Sequence, residues 1–174
     1  MHTGVAIILD AMKTLLLLRH AKSSWKHPEL ADHDRPLNKR GKRTAPLMGA
    51  LLQDEDLIPD LILSSSAVRA YTTALIVAKT CAYTGKIKQT RKLYLAEPED
   101  YVEVLHQVAE KYARVLVVGH NPGLEALIET LTGEAMAMPT AALAQVELSV
   151  KRWSDLDTDT DCELVNVWLP KDLG

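Results

Sequence analysis

Arginine and histidine side chains that could bind and transfer a phosphoryl group follow three predicted strands. Arg19 and His20 directly follow one apolar run, His120 follows another, and Arg69 lies one helical turn after a third. In an open α/β sheet, ligands bind beyond the carboxyl ends of the strands, so we expect these side chains to face one pocket. In such a cluster the like charges repel each other and each buried guanidinium group needs acceptors, so the cluster calls for a bound anion. The pattern therefore predicts a phosphate site, because phosphate oxygens match the paired N–H donors of arginine.

Histidine can also act as a covalent nucleophile, and His20 is our candidate for that role. It directly follows a strand predicted to be buried and rigid, which would hold the imidazole in line with the phosphorus atom. His120 lies between Gly119 and a predicted helix cap, where it could donate a hydrogen bond to the transferring oxygens. Arg19, Arg69 and His120 would supply the positive charge that phosphoryl transfer needs, so we expect no metal ion and no cofactor.

These side chains can meet only if the strands that precede them lie in one sheet. The pattern of apolar residues along the chain predicts such a sheet. Short apolar runs predict buried parallel strands at 14–18, 60–63 and 115–118, with a weaker strand at 87–90. Apolar residues at helical spacing lie between and after these runs. The side chains predicted to form the buried helical stripes are Leu47, Met48, Leu51 and Leu52, then Val68, Tyr71, Thr72, Leu75 and Ile76, then Tyr101, Val104, Leu105 and Val108, and finally Leu124, Leu127, Ile128 and Leu131. This alternation of periods predicts the α/β class.

Capping residues predict where two helices begin, and an alternating pattern predicts the last two strands. Asn38 is predicted to cap one helix and Asn121 another, the latter with Pro122 at the first helical position. Residues 143–150 alternate apolar and polar side chains, and residues 165–169 repeat the alternation through Val165, Val167 and Leu169. These two segments are predicted to form a hairpin or two edge strands of the same sheet.

Length and composition indicate one ordinary globular domain. The chain has 174 residues, of which 47% are hydrophobic and 25% charged, and we assign residues 13–174 to the domain and residues 1–12 to a short extra arm. The net charge of −3 gives no reason to expect nucleic acid or a membrane surface as partner. Cys81 and Cys162 lie far apart and form no C-x-x-C pair, and we find no export signal, so we expect a cytoplasmic protein.

The candidate residues and their neighbours form a set of motifs that resembles the motifs of a known family. The matching segments are residues 14–23 with Arg19-His20-Ala21, Asp34-Arg35-Pro36-Leu37 before Arg40-Gly41, Ser64-Ser65 with Arg69-Ala70 and Thr73-Ala74, and Gly119-His120-Asn121-Pro122. This ordered set resembles the histidine phosphatase superfamily, and within it the small SixA-type phosphohistidine phosphatases. Ala21 and Ser23 stand where the family's motif usually has glycine and threonine.

The resemblance implies a phosphoglycerate-mutase-like three-layer α/β/α sandwich, in which we expect a mostly parallel central sheet with an antiparallel edge strand. It implies that His20 is the phosphorylated nucleophile and that Arg19, Arg69 and His120 form the phosphate pocket. Three further residues of these motifs are expected to contact the substrate, namely Ser23, Ser65 and Asn121. The implied activity is that of a metal-independent phosphatase. Its partner would be a phosphohistidine protein such as a histidine phosphotransfer domain.

The proton donor to the leaving group is less clearly marked. Members that cleave phosphate esters commonly use a carboxylic acid from the middle of the chain, and Glu97 is the candidate by position. An acidic residue near a helix N-terminus is an equally good interpretation of Glu97. An imidazole leaving group needs less protonation than an alkoxide, and the sequence marks no clear acid, so it favours P–N cleavage.

The predicted core elements use most of the chain and leave few residues for a lid over the pocket. An open pocket suits a phosphoryl group carried by a protein, although residues 21–36 could partly cover a small substrate.

Two alternatives stay open, a small-molecule phosphomonoesterase of the same superfamily and a non-catalytic phosphate-binding module. A metallophosphatase is disfavoured, because Arg19 would oppose a cation and no second acidic cluster stands at a strand end. Its potential ligands would be His20, His27, Asp32, His33, Asp34 and His120. A cysteine phosphatase is excluded, because no arginine lies six residues after Cys81 or Cys162.

Overall fold

A computed structural model of the chain describes residues 12–174. The strands are β1 (Lys13–Arg19), β2 (Leu61–Ser65), β3 (Ile87–Thr90), β4 (Arg114–Gly119), β5 (Leu143–Leu148) and β6 (Cys162–Trp168). The α-helices are α1 (Lys39–Asp54), α2 (Val68–Thr80), α3 (Pro98–His106) and α4 (Gly123–Thr132). The arm that we assigned to residues 1–12 lies outside the described residues, apart from Met12.

The six strands of residues 12–174 form one sheet in the order β3-β2-β4-β1-β5-β6. The four strands β3, β2, β4 and β1 are parallel to their neighbours, whereas β5 is antiparallel to β1 and β6 is antiparallel to β5. The predicted α/β class and mostly parallel sheet are therefore confirmed. The antiparallel edge contains two strands rather than one.

Helices cover both faces of the sheet, as the three-layer prediction requires. Leu15 and Leu17 of β1 face a core cluster that includes the buried residues of α3 and α4. Leu16 and Leu18 face the opposite cluster, which includes the buried residues of α1 and α2. All four leucines are completely buried, so the strand that precedes the candidate nucleophile is fixed from both sides.

Helix α2 buries a different face from the one predicted. Val68 and Leu75 of the predicted stripe are exposed, and the buried face consists mostly of small residues: Arg69, Ala70, Thr73, Ala74, Val77 and Ala78. The reason is close packing against α1, where a Cβ atom on Gly49 would lie 2.5 Å from the Cβ atom of Thr80. Helices can approach this closely only through small side chains. The resulting rotation of α2 places Arg69 on the inner side of the helix.

The pairing of β6 with β5 also corrects a prediction. Val165 is 47% exposed, whereas its neighbours Leu164 and Val167 pack against the core. The register of the two strands shifts between Gln145 and Val146, and such an irregularity reverses which side chains face inward. The prediction that the apolar side chains at 165–169 all face inward is therefore wrong for Val165.

Of the two predicted helix caps, one is confirmed. The side chain of Asn38 accepts a hydrogen bond from the backbone N–H of Gly41 at 2.9 Å, as an N-cap does. The prediction for Asn121 is wrong, because α4 begins at Gly123 and Pro122 occupies the cap position. The Asn121 amide is engaged in tertiary hydrogen bonds instead.

None of the helices in the described part is both long enough and apolar enough to cross a membrane. Cys81 and Cys162 are both free thiols.

Candidate active site

The end of β1 is fixed by backbone hydrogen bonds on both sides. The N–H of Arg19 donates to the carbonyl of Ala142, and the N–H of His20 donates to the carbonyl of Gly119 at 3.1 Å. The next residue, Ala21, donates its N–H to the hydroxyl of Thr73 on α2. The backbone around His20 is therefore held by the sheet and by a helix, which limits the movement of its imidazole.

His20 is held in the tautomer that a nucleophile needs. Its Nδ1 lies 2.7 Å from the carbonyl oxygen of Ala21, and because a carbonyl only accepts, Nδ1 carries the proton. The other ring nitrogen, Nε2, is left with its lone pair. Burial lowers the pKa of His20 to about 4, and the nearby charges of Arg69 and Arg19 act in the same direction. The imidazole is therefore neutral and nucleophilic at neutral pH.

His120 lies beside His20, with 5.1 Å between the two ring centroids. Its Nε2 lies 2.7 Å from the hydroxyl of Ser65, which itself accepts a hydrogen bond from the N–H of Ala67. The Ser65 hydroxyl can donate its own proton to Nε2, and in that arrangement the ring proton of His120 lies on Nδ1. Burial lowers the pKa of His120 to about 3, and the neighbouring His20 contributes to the lowering.

Two buried nitrogens of the site have no hydrogen-bond partner within residues 12–174, the Nδ1 of His120 and the Nε of Arg19. Arg19 uses its Nη1 to donate to the carbonyl of Met138 at 3.0 Å. Buried polar groups without a partner are rare in folded proteins, and a bound ion is one explanation for them. Both side chains line the same pocket, so an anion bound there would supply acceptors at the correct place.

Arg69 and Arg35 are held by the carboxylate of Asp32. Arg69 donates to the Asp32 carbonyl at 2.7 Å and to Oδ2 at 3.0 Å, and Arg35 donates to Oδ1 at 2.9 Å. Tyr94 donates its hydroxyl to Oδ2 at 2.6 Å. The hydrogen bond from Tyr94, with those from the two arginines, holds the pKa of Asp32 far below its usual range. Asp32 is therefore an ionised carboxylate that orients two guanidinium groups.

Sequence reasoning did not assign a role to Arg35, which is a buried member of the site. Besides Asp32 it donates to the hydroxyl of Ser23 at 2.6 Å and to the carbonyl of Ser24. The ring of Trp25 stacks on its guanidinium at 3.3 Å. Tyr94 and Trp25 were not assigned to the site either, and Asp32 was considered only as a potential metal ligand. The Asp34-Arg35-Pro36-Leu37 segment was the signal that pointed to Arg35, but residues 21–36 have no periodicity from which a position could be predicted.

The candidate residues surround a pocket of about 270 Å³ at the carboxyl ends of the parallel strands. The pocket is lined by Arg19, His20, Lys22, Ser23, Trp25, Asp32, Arg35, Arg69, Leu95, His120, Asn121 and Thr140. A larger cleft of about 480 Å³, around Asp60 and Tyr112, lies at the amino ends of the strands and contains none of the candidate residues. We therefore place the candidate site in the smaller pocket.

The other residues expected at the site are placed differently. Ser23 and Asn121 line the pocket, but their side chains are engaged by neighbours, Ser23 by Arg35 and Asn121 by Glu125 and the Met138 carbonyl. Ser65 contacts His120 rather than open solvent. The structure does not bring Glu97 to the pocket lining.

Glu97 occupies the N-cap position of α3, where its backbone N–H donates to the Asp100 carboxylate at 2.8 Å. Within residues 12–174, Asp32 is the acidic residue that lines the pocket. No group of three or more His, Cys, Asp or Glu side chains in that range is arranged to hold a metal ion. The ligand set considered for a metallophosphatase is therefore not assembled there.

Comparison with known proteins agrees with this geometry. The profile of the histidine phosphatase superfamily (branch 1) matches residues 15–93. An uncharacterized protein of Mycobacterium tuberculosis is 32% identical over 154 residues, which cover 80% of this chain and 92% of that protein.

Solved structures provide a second comparison. The structure of a candidate phosphohistidine phosphatase SixA from Agrobacterium tumefaciens matches with a TM-score of 0.77 and 30% identity, and the match covers 91% of this chain and 98% of that one. A candidate SixA from Nakamurella multipartitia matches with a TM-score of 0.79 and 25% identity, over 91% of this chain and 96% of that one. With its fold, its strand-end residues and these relatives, the chain belongs to the histidine phosphatase superfamily.

Proposed function

We propose that the chain is a phosphohistidine phosphatase that acts on proteins through a phosphorylated His20. The observation that carries the proposal is the Nδ1–H···O=C hydrogen bond from His20 to Ala21, which leaves Nε2 unprotonated among three guanidinium groups. Arg19, Arg35 and Arg69 would bind the phosphoryl oxygens, as charge-assisted donors do. The similarity to the SixA structures supports the choice of substrate class.

The reaction has two displacements. In the first, Nε2 of His20 attacks phosphorus, the bond between phosphorus and the substrate imidazole nitrogen breaks, and the departing imidazole takes up a proton from solvent. In the second, water attacks phosphorus, the bond to Nε2 breaks, and inorganic phosphate leaves while the water's proton is released. The Nδ1–H of His120 and the three arginines would stabilise the negative charge of both transition states.

The ionised state of Asp32 favours P–N over P–O cleavage. An alkoxide leaving group needs a proton donor, and a carboxyl group with a strongly lowered pKa is a poor donor at neutral pH. Glu97 lies at a helix cap, outside the pocket lining. An imidazole leaves readily after protonation by solvent, so the residues of this pocket suit phosphohistidine better than a phosphate ester.

The proposal also includes catalysis without a metal ion and a cytoplasmic location. Arginines and histidines supply the charge that a divalent metal supplies in other phosphoryl-transfer sites, so the reaction is proposed to be metal-independent. Cys81 and Cys162 are free thiols, which suits the reducing cytoplasm.

The test measures phosphate release from a phosphohistidine protein and from an aryl phosphate, side by side in excess EDTA. The proposal expects faster release from phosphohistidine, no dependence on added metal, and loss of activity in His20→Ala. Faster release from the aryl phosphate would instead identify a small-molecule phosphomonoesterase. If neither substrate is hydrolysed while phosphate still binds, the chain is a phosphate-binding module and the enzymatic proposal is wrong.

A further inference from the structure

Positive charge is concentrated beside the pocket. Residues 19–43 contain eight lysines and arginines but three aspartates and glutamates, although the whole chain has a net charge of −3. Six of these basic side chains are exposed, and we call them the basic rim: Lys22, Lys26, Lys39, Arg40, Lys42 and Arg43. Within the described range 12–174, no member of the basic rim forms an ion pair.

The basic rim adjoins the pocket through direct packing. Lys22 lines the pocket, and its carbonyl accepts the N–H of Asn38 at 3.0 Å. Gly41 in the first turn of α1 lies so close that a Cβ atom there would collide with the same carbonyl oxygen. The first turn of α1 therefore packs against the loop that lines the pocket, and four exposed basic side chains, Lys39, Arg40, Lys42 and Arg43, lie in and next to this turn.

The basic side chains in the first turn of α1 do not stabilise this helix. The N-terminus of a helix has a partial positive charge, so acidic residues stabilise its first turn and basic residues oppose it. The first turn of α1 contains no acidic residue, and Lys39 and Arg40 are its first two residues. An external anion that binds at this end would be attracted both by the side chains and by the helix dipole.

Two exposed apolar side chains, Trp25 and Leu95, flank the same pocket. Each is 73% exposed and each lines the pocket. Trp25 is held in place by stacking on Arg35, and Leu95 has φ +58°, a left-handed conformation that is uncommon for leucine. A phosphoryl group offers no apolar surface, so these side chains are placed to contact the molecule that carries it.

We propose that the basic rim, Trp25 and Leu95 form a docking surface for an acidic protein segment that carries the phosphohistidine. This inference rests on the proposed function and adds the chemistry of the partner. Of the basic rim, Lys22 lines the pocket and the other five side chains lie outside its lining, so they are not needed to bind the phosphoryl group itself. Apolar anchors surrounded by complementary charge are the usual composition of a protein docking site.

Nucleic acid and anionic membranes fit the surface less well. Outside residues 19–43 the chain has more acidic than basic residues, so a long polyanion would meet repulsion beyond the basic rim. Phosphodiesters also lack the terminal phosphoryl group for which the three arginines are arranged. An acidic protein segment avoids both difficulties, because its charge is local and its phosphoryl group is terminal.

The experiment compares two phosphohistidine peptides of equal length, one with aspartate and glutamate flanks and one with serine and glutamine flanks. The enzymes are the wild type, the variant Arg40→Glu/Arg43→Glu, and the control Lys111→Glu/Lys151→Glu. The control makes the same change in charge at exposed positions near the amino ends of the strands, opposite the pocket. Circular dichroism verifies that each variant is folded, and phosphoimidazole serves as the substrate without flanks.

For the wild type at low salt, kcat/KM is expected to be about tenfold higher for the acidic peptide than for the neutral one, because charge at the rim accelerates association. High salt and Arg40→Glu/Arg43→Glu should each abolish this preference, whereas the control should keep it. Hydrolysis of phosphoimidazole should stay within about twofold in both variants, since binding of an uncharged carrier does not use the basic rim.

Equal rates for the two peptides, with phosphoimidazole hydrolysed normally, would overturn the docking surface and leave the proposed function intact. If the wild type hydrolyses none of the three substrates, the proposed function fails. The docking surface is then tested by the affinity of the unphosphorylated acidic peptide for each variant. Weaker binding to Arg40→Glu/Arg43→Glu than to the control would then support the surface. Equal binding would overturn it.

Discussion

Both outer nitrogens of Arg69 donate to Asp32, one to its carbonyl oxygen at 2.7 Å and the other to its carboxylate at 3.0 Å. Each of these nitrogens carries two hydrogens, so one N–H on each is left for a phosphoryl oxygen. The guanidinium plane is thus fixed before a substrate binds, which reduces the entropy lost on binding. The same carboxylate, however, would place a negative charge next to the phosphoryl group of the proposed substrate.

Replacing Asp32 by asparagine separates these two effects. We expect inorganic phosphate to bind about tenfold more tightly to Asp32→Asn, because a like charge is removed. We expect kcat to fall by about tenfold or more, because Arg69 and Arg35 lose the ionised acceptor that orients them. Calorimetric titration with phosphate and steady-state kinetics measure the two quantities.

The matched control for this prediction is Asp34→Asn, which removes a nearby exposed carboxylate whose hydrogen bond is to His33. It should leave phosphate affinity and kcat close to those of the wild type. Weaker phosphate binding in Asp32→Asn would show that orientation of the arginines outweighs the repulsion, contrary to our expectation.

The tautomer and pKa of His20 can be read directly by nitrogen NMR of the imidazole rings. We expect the signal of Nδ1 to be that of a protonated nitrogen and the signal of Nε2 that of an unprotonated one throughout the range from pH 8 to pH 5. Protonation of Nε2 should occur near pH 4, because burial disfavours the imidazolium. A midpoint near 6.5, or the opposite tautomer, would contradict the proposed nucleophile.

Stability should decrease with acid in a window set by the two buried histidines. Their pKa values are about 4 and about 3 in the folded protein, against 6.5 for an unperturbed imidazole. The unfolded chain therefore binds more protons below pH 6.5, so the stability present above that pH is lost as the pH falls toward 4. Each histidine contributes at most about 1.4 kcal/mol per pH unit to this loss. Urea unfolding at several pH values measures the slope.

The variant His20→Asn tests the origin of that slope, because asparagine does not titrate. Between pH 6 and pH 4 its stability should decrease less steeply than that of the wild type, by up to the contribution of one histidine. Asp32 contributes to the slope only in the acid part of this window, and it does so in both proteins, so it does not affect the comparison. An unchanged slope in His20→Asn would refute the assignment.

The role of Glu97 is tested by Glu97→Gln, which keeps the shape of the side chain and removes its acid. Because Glu97 lies at the N-cap of α3 and outside the pocket lining, we expect hydrolysis of phosphohistidine to stay within about twofold of the wild-type rate. Single-turnover kinetics isolates the first displacement. A loss of about a hundredfold would identify Glu97 as the proton donor after all.

Strand ends were the part of the site that could be predicted best. Continuous apolar runs predict buried parallel strands, and the carboxyl ends of parallel strands meet by geometry, so the approach of His20 to His120 follows from the pattern. Arg69 is also at the pocket, but the predicted face of α2 was wrong. Apolar side chains mark a buried face only when packing leaves room for them, and here small residues fill it.

The loop at residues 21–36 could not be predicted in the same way. Asp32 and Arg35 meet through an ion pair that depends on the path of an irregular backbone, for which no periodic pattern exists. Trp25 is likewise exposed and stacked on a charge rather than buried in the core. Such positions are set by tertiary contacts, and sequence patterns detect them only through a family motif.

His20 is attached to a central strand, whereas Trp25, Asp32 and Arg35 belong to the loop that follows it. The proposed nucleophile and part of the proposed phosphoryl-binding set therefore have separate mechanical supports. A chimera that exchanges the loop between two members of the superfamily, while it keeps Asp32 and Arg35, is expected to alter substrate preference and to leave His20 in its position. Exposed positions of the loop, such as Trp25, are then the ones that can be varied without moving the strand that carries His20.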